Sequence, residues 1–217
     1  MVFYNREVAR CLQSAGYGLL RIHDAPLAEK LDRLARLGHP ELDYLAYASA
    51  EYCSASTTTD THHFGLNIDF YCHATSPLRR FADLYNQQIL CCVIRNGLKH
   101  NTSLLPSLQE QRLAFELNRR MKDIAHAQRD MAFRNALGAA ESALPTTADQ
   151  GPHESGDVEA LVLWEDAPKT ALWIPAWKTM IKKRLDAAVT PGETVRLAYY
   201  ADKRKHRWKE RMVIQIR

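Results

Sequence analysis

Two adjacent arginines, Arg79 and Arg80, are the side chains best suited to chemistry in this chain. They follow Thr75-Ser76-Pro77, and apolar residues then recur at helical spacing: Leu78, Phe81, Ala82, Tyr85, Ile89, Cys92 and Val93. Ser76 is a good N-cap and proline suits the first helical position, so the pattern predicts a helix from Leu78 with both arginines in its first turn. That turn carries partial positive charge and free N–H groups, a poor place for cations unless an anion such as phosphate waits there. A planar guanidinium can meet two phosphoryl oxygens at once. The competing reading is an Arg79–Asp83 helix pair at i,i+4, worth only about 0.2–0.5 kcal/mol.

The element that must present this helix lies just before it. Phe64 to Tyr71 alternates Phe64, Leu66, Ile68 and Phe70 with Gly65, Asn67 and Asp69, the period of a half-buried strand. His62, His63, Cys72 and His73 flank that strand, but they lack paired-ligand spacing and no metal site is expected of them. The five cysteines, Cys11, Cys53, Cys72, Cys91 and Cys92, are odd in number and contain no CxxC, which argues against a zinc ribbon or a disulfide framework.

In order, His63-Phe64-Gly65-Leu66, Tyr71, His73, Thr75-Ser76-Pro77, Arg79-Arg80-Phe81 and Asp83-Leu84 resemble the signature of the RNase II / RNase R / Dis3 exoribonuclease family, the RNB catalytic domain. Cys72, Ala74 and Leu78 depart mildly from it, and Gln87-Gln88 stand where the family has His-Arg. Asn5-Arg6-Glu7-Val8-Ala9 and Arg21-Ile22-His23-Asp24-Ala25-Pro26 are similar to two further family motifs. Ala127-Gln128-Arg129-Asp130 is similar to an A-E-R-D segment, with Gln128 in place of a glutamate near the RNA path. The resemblance implies an exoribonuclease, with Arg79 as a clamp on the scissile phosphate. It implies RNA contacts from His63, Tyr71, His73, Thr75, Ser76, Arg80 and Gln128. It also implies Mg2+, held in the family by a cluster of aspartates near the start of the catalytic domain. No such cluster stands in this sequence; Asp24, Asp60, Asp69, Asp83, Asp123 and Asp130 are scattered singly.

The totals are those of a globular protein: 217 residues, 46% hydrophobic and 25% charged. No apolar run is long enough to span a bilayer. The start, MVFYNREVARCLQ, has no secretory pattern, so a cytoplasmic or otherwise intracellular location is expected. Charge is uneven. Residues 1–155 hold 16 Lys/Arg against 17 Asp/Glu, a balance of −1, whereas residues 156–217 hold 13 against 8, a balance of +5. A basic segment suits an anionic polymer, or is simply solvated surface.

Periodicity and punctuation predict helices over Phe3–Ala15, Pro26–Leu37 and Leu42–Tyr52, a polar loop over Ser54–Thr61, a second loop over Leu98–Ser107, and one long helix from Leu108 to about Leu137. Leu144 to Ser155 reads as a linker. Four strands follow: Gly156–Trp164, Thr170–Ile174, Glu193–Tyr200 and Arg207–Ile216. The fold class is therefore α+β: 1–144 as the largely helical back half of an RNB-type catalytic domain, 145–155 as linker, and 156–217 as a small OB-type β-barrel. In that barrel Trp173, Trp177, Tyr199, Tyr200 and Trp208 sit among Lys203, Arg204, Lys205 and Arg207, a mixture that suits single-stranded RNA. Tyr199 and Tyr200 point to opposite faces, so at most one of them meets RNA.

The expectation is an RNase II-like 3′-5′ exoribonuclease present as a C-terminal fragment, inactive alone, with an upstream polypeptide as a possible partner carrying the metal-binding half. Two other classes stay open: a non-catalytic single-stranded RNA-binding module, and an interaction subunit whose basic end is solvated.

Overall fold

A computed structural model describes residues 1–58, 60–96, 107–142, 156–166, 168–185, 187–202, 204–207 and 211–217. The expected linker, most of the loop from Leu98, Lys203 and Trp208 lie outside these residues. The chain forms two units, Met1–Lys30 with Tyr44–Asp123, and Leu31–Asp43 with Ile124–Arg217.

The first unit begins with α1 (Val2–Ala15), which buries Val8, Ala9 and Leu12 along one stripe. Fully burying one such leucine is worth roughly 1.5–3 kcal/mol. The helix stops at Gly16, whose φ of 73° is left-handed and costs glycine nothing. Strand β1 (Leu19–Ile22) then pairs antiparallel with β2 (Glu51–Ser54). Between them lie α2 (Ala28–Ala35) and a 3-10 helix, Pro40–Ala46. The helix expected over Leu42–Tyr52 is thus replaced by this short turn and a strand. The cause is tertiary: the Tyr52 N–H and C=O are both engaged by the Asn118 amide, at 2.7 and 2.8 Å, which completes the free edge of β2.

The strand expected over Phe64–Tyr71 is also absent. Instead, two-residue strands β3 (His62–His63) and β4 (Ile68–Asp69) form a small hairpin around a 3-10 turn, Phe64–Leu66. Asn67 and Phe70 carry positive φ, 51° and 58°. The chain bends because His23 claims it: the Phe64 N–H donates to the His23 carbonyl (2.9 Å) and the Gly65 N–H to His23 Nδ1 (3.1 Å). A Cβ at Gly65 would lie 2.8 Å from that nitrogen, so only glycine fits.

Helix α3 (Phe81–Asn96) starts at Phe81, not Leu78. The Arg79 and Arg80 N–H groups both turn back to the Ser76 carbonyl, at 3.3 and 3.2 Å. Ser76 is held through its own N–H by Asp83 Oδ1 at 2.7 Å rather than capping the helix with its hydroxyl. The arginines therefore sit on a turn, and their N–H groups are already used. The long helix α4 (Ser107–Ser142) forms as expected, and its Leu113, Leu117 and Met121 pack against the core of Leu12, Leu19, Leu20 and Ile89.

The second unit is a curled five-stranded antiparallel sheet of OB type. Its strands are β5 (Gly156–Asp166), β6 (Lys169–Ile174), β7 (Thr179–Lys183), β8 (Thr194–Ala201) and β9 (Met212–Ile216), in the order β7-β6-β5-β8-β9. A register shift between Val162 and Trp164 lets the long β5 bend and serve both sides. The interior is apolar: Val162, Leu172, Ile174 and Leu197 are fully buried. Strand β7 has no counterpart in the sequence reading, because the turn before it is made by Lys178 at φ 48° rather than by a glycine. At the open seam, Lys183 Nζ reaches from β7 to the Met212 carbonyl at 3.2 Å. Among the described residues no helix is long and apolar enough to cross a membrane.

Candidate nucleic-acid interface

The segment from His62 to Ala74 lies along the edge of β1 that β2 leaves free. The Arg21 N–H donates to the Tyr71 carbonyl (2.7 Å) and the His23 N–H to the His62 carbonyl (3.2 Å). Asn5 of α1, itself buried, accepts from the Ala74 N–H (3.2 Å) and donates to the Tyr71 hydroxyl (3.2 Å). The Cys72 thiol donates to the Asn5 carbonyl at 3.2 Å, and burial pushes its pKa up to about 12. From the other side, Asn86 of α3 bonds the Leu19 backbone and the His73 carbonyl, while Gln87 donates to the Ala74 carbonyl at 2.7 Å. Gln87, a departure from the family signature, is thus a tether here.

This scaffold sets five rings in file, each edge-on to the next. His23 to His63 is 5.1 Å between centroids, His63 to Tyr71 5.1 Å, Tyr71 to His73 5.7 Å, and His73 to Tyr52 5.7 Å. The Arg21 guanidinium covers the last ring, 4.9 Å from the Tyr52 centroid. Burial, then the Arg21 and Arg80 charges, drive the His73 pKa down to about 4, so the ring is neutral at pH 7. Burial also raises the Tyr52 pKa, so its hydroxyl keeps its proton and shares a hydrogen bond with His73 Nδ1 at 2.7 Å. The neutral ring has one donor and one acceptor nitrogen, and its Nε2 is left for another partner. His63 is likewise pushed towards neutrality, by burial and then by His23, and its buried Nδ1 has no hydrogen-bond partner among the described residues.

The two arginines part company. Arg80 grips the buried Asp83 with two bonds, Nε to Oδ2 at 2.7 Å and Nη2 to Oδ1 at 2.9 Å. Burial opposes ionisation of Asp83, but the Arg80 bonds and the Ser76 N–H outweigh it and hold the carboxyl below its ordinary value. The ion pair is therefore Arg80–Asp83, not the Arg79–Asp83 pair that sequence spacing offered. Arg79 is exposed and has no ion-pair partner among the described residues.

Arg21 joins these candidates only in the structure. It is half-buried, it has no carboxylate partner among the described residues, and burial and the nearby Arg80 lower its pKa. A signal existed: an arginine between Leu20 and Ile22, two residues before a histidine, in an otherwise apolar strand. The structure brings His63, Tyr71, His73, Thr75, Ser76, Arg79 and Arg80 into one segment of the first unit. Gln128, Arg204, Lys205 and Arg207 belong to the second. There Gln128 is exposed, Arg204 pairs with Asp202 at 2.9 Å, and the Lys205 carbonyl holds Arg211. Trp177 and Tyr199 pack edge-to-face on the barrel core, 5.2 Å apart.

A family model described as the RNB domain matches residues 39–96, which contain this segment. Over these residues the chain is similar to the RNB family. Over 123 residues it is 31% identical to the exosome complex exonuclease RRP44 of Mus musculus, covering 51% of this chain and 12% of that protein. Over 129 residues it is 29% identical to ribonuclease R of Aquifex aeolicus, covering 44% of this chain and 18% of that protein. The chain thus matches less than a fifth of either relative's length. Among solved structures it resembles Mycoplasma genitalium RNase R in complex with ribose-methylated single-stranded RNA, with a TM-score of 0.68 at 13% identity over 100% of this chain and 40% of that one. It also resembles yeast Ssd1, described as a pseudonuclease, with a TM-score of 0.58 at 18% identity over 91% of this chain and 28% of that one. At these identities the likeness is one of fold.

The Mg2+ that the RNB resemblance implies finds no fit here. Among the described residues no group of three or more His, Cys, Asp or Glu could hold a metal ion. The carboxylates near the RNB segment are committed: Asp83 to Arg80 and Ser76, Asp69 to His62 at 3.0 Å, and Asp60 to the His62 N–H at 3.1 Å.

Proposed function

We propose that this chain is the RNA-gripping part of an RNase II-like 3′-5′ exoribonuclease. In this reading residues 1–144 are the back part of the catalytic domain, 145–155 a linker and 156–217 an RNA-binding barrel. The observation that carries it is the division of labour between two neighbouring arginines: Arg80 is locked on Asp83, while Arg79 stands exposed with no ion pair among the described residues. Arg79 meets the oxygens of a phosphodiester where negative charge develops. The neutral His73 offers Nε2 to the strand. The Thr75 and Ser76 hydroxyls lie on the same turn as Arg79, and the His63 and Tyr71 rings offer faces to bases. Gln128, Lys203, Arg204, Lys205 and Arg207 contact the strand from the second unit. The carboxylates that bind Mg2+ in this family come from another polypeptide or an upstream segment, so the 217-residue chain by itself does not hydrolyse RNA.

The test joins this chain to a polypeptide carrying those carboxylates and follows release of nucleoside monophosphates from single-stranded RNA. Arg79→Lys keeps RNA binding and lowers turnover by roughly 10²-fold or more, the scale for one preorganised charge stabiliser. Equal and mild losses for Arg79→Lys and Arg80→Lys, or loss of binding rather than turnover, refute the role. A second reading, a non-catalytic single-stranded RNA-binding module, is favoured by the poor fit of the chain's carboxylates to a metal. Binding without hydrolysis in every such assembly, with Mg2+ or Mn2+, selects it.

A further inference from the structure

His23 ties three pieces of the first unit together, and its ring does so in one protonation state. Nε2 lies 2.9 Å from the Ala48 carbonyl, which can only accept, so Nε2 carries the proton. Nδ1 accepts from the Gly65 N–H at 3.1 Å, so that nitrogen keeps its lone pair. In the Tyr52–His73 pair a hydroxyl can play either part, whereas both partners of the His23 ring are backbone groups with fixed roles. We propose that neutral His23 is a positioning residue for the RNA-gripping segment, and that a second proton on its ring frees the turn Phe64–Leu66. This role rests on the reading that the first unit grips RNA, and adds how that grip is regulated.

The two ring bonds respond differently to acid. Nε2 donates to Ala48 in both forms. A proton on Nδ1 sets a donor against the Gly65 N–H, and no slack absorbs it: a Cβ at Gly65 would lie only 2.8 Å from that nitrogen. The turn then leaves the ring, although the His23 backbone keeps its bonds to the His62 carbonyl and the Phe64 N–H. The turn follows directly on His63, the next ring of the file, 5.1 Å from His23. The charges around the ring disfavour the second proton in the closed form. His63 on β3 is pushed towards neutrality by burial and then by His23, and it also feels Arg21 and His62. Arg21 stands two residues back along β1. The carboxylates on the adjoining strands are engaged elsewhere, Asp69 of β4 with His62 at 3.0 Å and Glu51 of β2 with Lys122 at 2.8 Å. Asp24, the next residue, is exposed, and the Tyr47 and Phe64 rings beside His23 are uncharged. His23 itself is half-buried, so a proton reaches it without unfolding. Imidazoles as a class change charge between about pH 5 and 8.

The experiment follows ring and backbone nitrogens of the full chain by NMR between pH 7.5 and pH 5.5. At pH 7.5 the His23 ring should show a bare Nδ1 and a protonated Nε2. On acidification the hydrogen-exchange protection of the Gly65 amide, corrected for its intrinsic rate, should fall by at least about tenfold, inside the linkage limit of about tenfold per pH unit. The Arg21 amide, bonded to the Tyr71 carbonyl on the same strand, should keep its protection. His23→Gln offers an acceptor and a donor that do not titrate, so in that variant Gly65 should be held at both pH values. Binding of a fluorescein-labelled oligouridylate, read by anisotropy, should weaken in the wild type relative to His23→Gln by about threefold or more over the same range. A protonated Nδ1 at pH 7.5, equal losses at Gly65 and Arg21, or the same loss at Gly65 in His23→Gln overturns the latch. If His23→Gln does not fold, the wild-type ring and amide signals decide alone. A latch that opens with unchanged or rising relative affinity overturns its part in the RNA grip. No RNA binding by the wild type at either pH overturns the parent reading, and the Gly65 amide still tests the latch.

Discussion

The two units bury different things. The first packs Asn5, His63, Asp83, Asn86 and Glu110 into or beside its core, while the buried polar residues of the barrel, among those described, are Thr170 and Thr179. Of these, Asn5, Asp83, Asn86 and Glu110 each hold a neighbour in place. Glu110 accepts from the Gly18 N–H at 2.6 Å, from the Tyr85 hydroxyl at 2.8 Å and from the Ser54 hydroxyl, fastening a loop, a strand and a helix together. Such networks fix geometry at the expense of tolerance, because a partly satisfied one is worse than an apolar core. The barrel takes the opposite course, with an apolar interior and its charge on the outer surface. The difference teaches where precision is needed: at the arginines and rings, and much less in the fold of the barrel.

The largest expected effect tests that contrast directly. Glu110→Ala leaves three buried donors without an acceptor and should lower stability by roughly 3 kcal/mol or more. Leu172→Ala in the barrel should cost about 2–5 kcal/mol through its cavity. Urea unfolding read separately by Tyr and Trp signals compares them. If Glu110→Ala costs under about 1 kcal/mol, the polar network is not what holds the first unit together.

The next effect is a pH dependence. His73 has its folded pKa lowered to about 4 from 6.5. Between those values the unfolded chain takes up a proton that the folded chain refuses, so stability falls as pH drops from 6.5 towards 4 and then levels off from this source. The size is below the roughly 3 kcal/mol that the full shift gives at about 1.36 kcal/mol per unit, because the ring is only part-buried and water screens its neighbours. Urea midpoints at pH 7 and pH 4.5, for wild type and His73→Gln, measure it. Equal pH dependence in both proteins would show that His73 titrates freely.

The smallest effects separate the neighbouring arginines. Arg80→Gln strips the buried Asp83 carboxylate of its cation and should cost about 1.5–3 kcal/mol. Arg79→Gln should stay within about 0.5 kcal/mol, as for exposed side chains without partners. Thermal melts of the two variants suffice. A comparable loss from Arg79→Gln would mean that its side chain carries structure.

Sequence reading recovered the parts of the fold that announce themselves locally. The stripe of Val8 and Leu12 ends at a glycine, the long helix keeps its period over many turns, and Gly156 and Gly192 mark where β5 and β8 begin. It failed where distant residues decide. β1 and β2 have four residues each, too short for a periodic signal, and β2 exists because Asn118 takes up Tyr52. The turn at Phe64–Leu66 is dictated by His23, and the start of α3 by Asp83 reaching back to Ser76. The candidate site was proposed as a list of residues, Arg79 and Arg80 from their place before a helix and His63, Tyr71 and His73 from the family resemblance. Its division of roles was not, because spacing alone offered Asp83 to Arg79. Arg21 went unweighed because a cation with no carboxylate partner among the described residues is recognisable only once its surroundings are known.

Cys72 has a consequence of a different kind. Its thiol sits at the centre of the segment, buried, bonded to α1 and far from ionising, whereas Cys11 and Cys91 are exposed. Thiolates, not thiols, react with oxidants and alkylating agents. The heart of the site is therefore blind to redox conditions that would readily mark the surface of the same molecule. When Cys72 does react, the segment has left α1, so modification at this one position acts as a clock for the opening of the site.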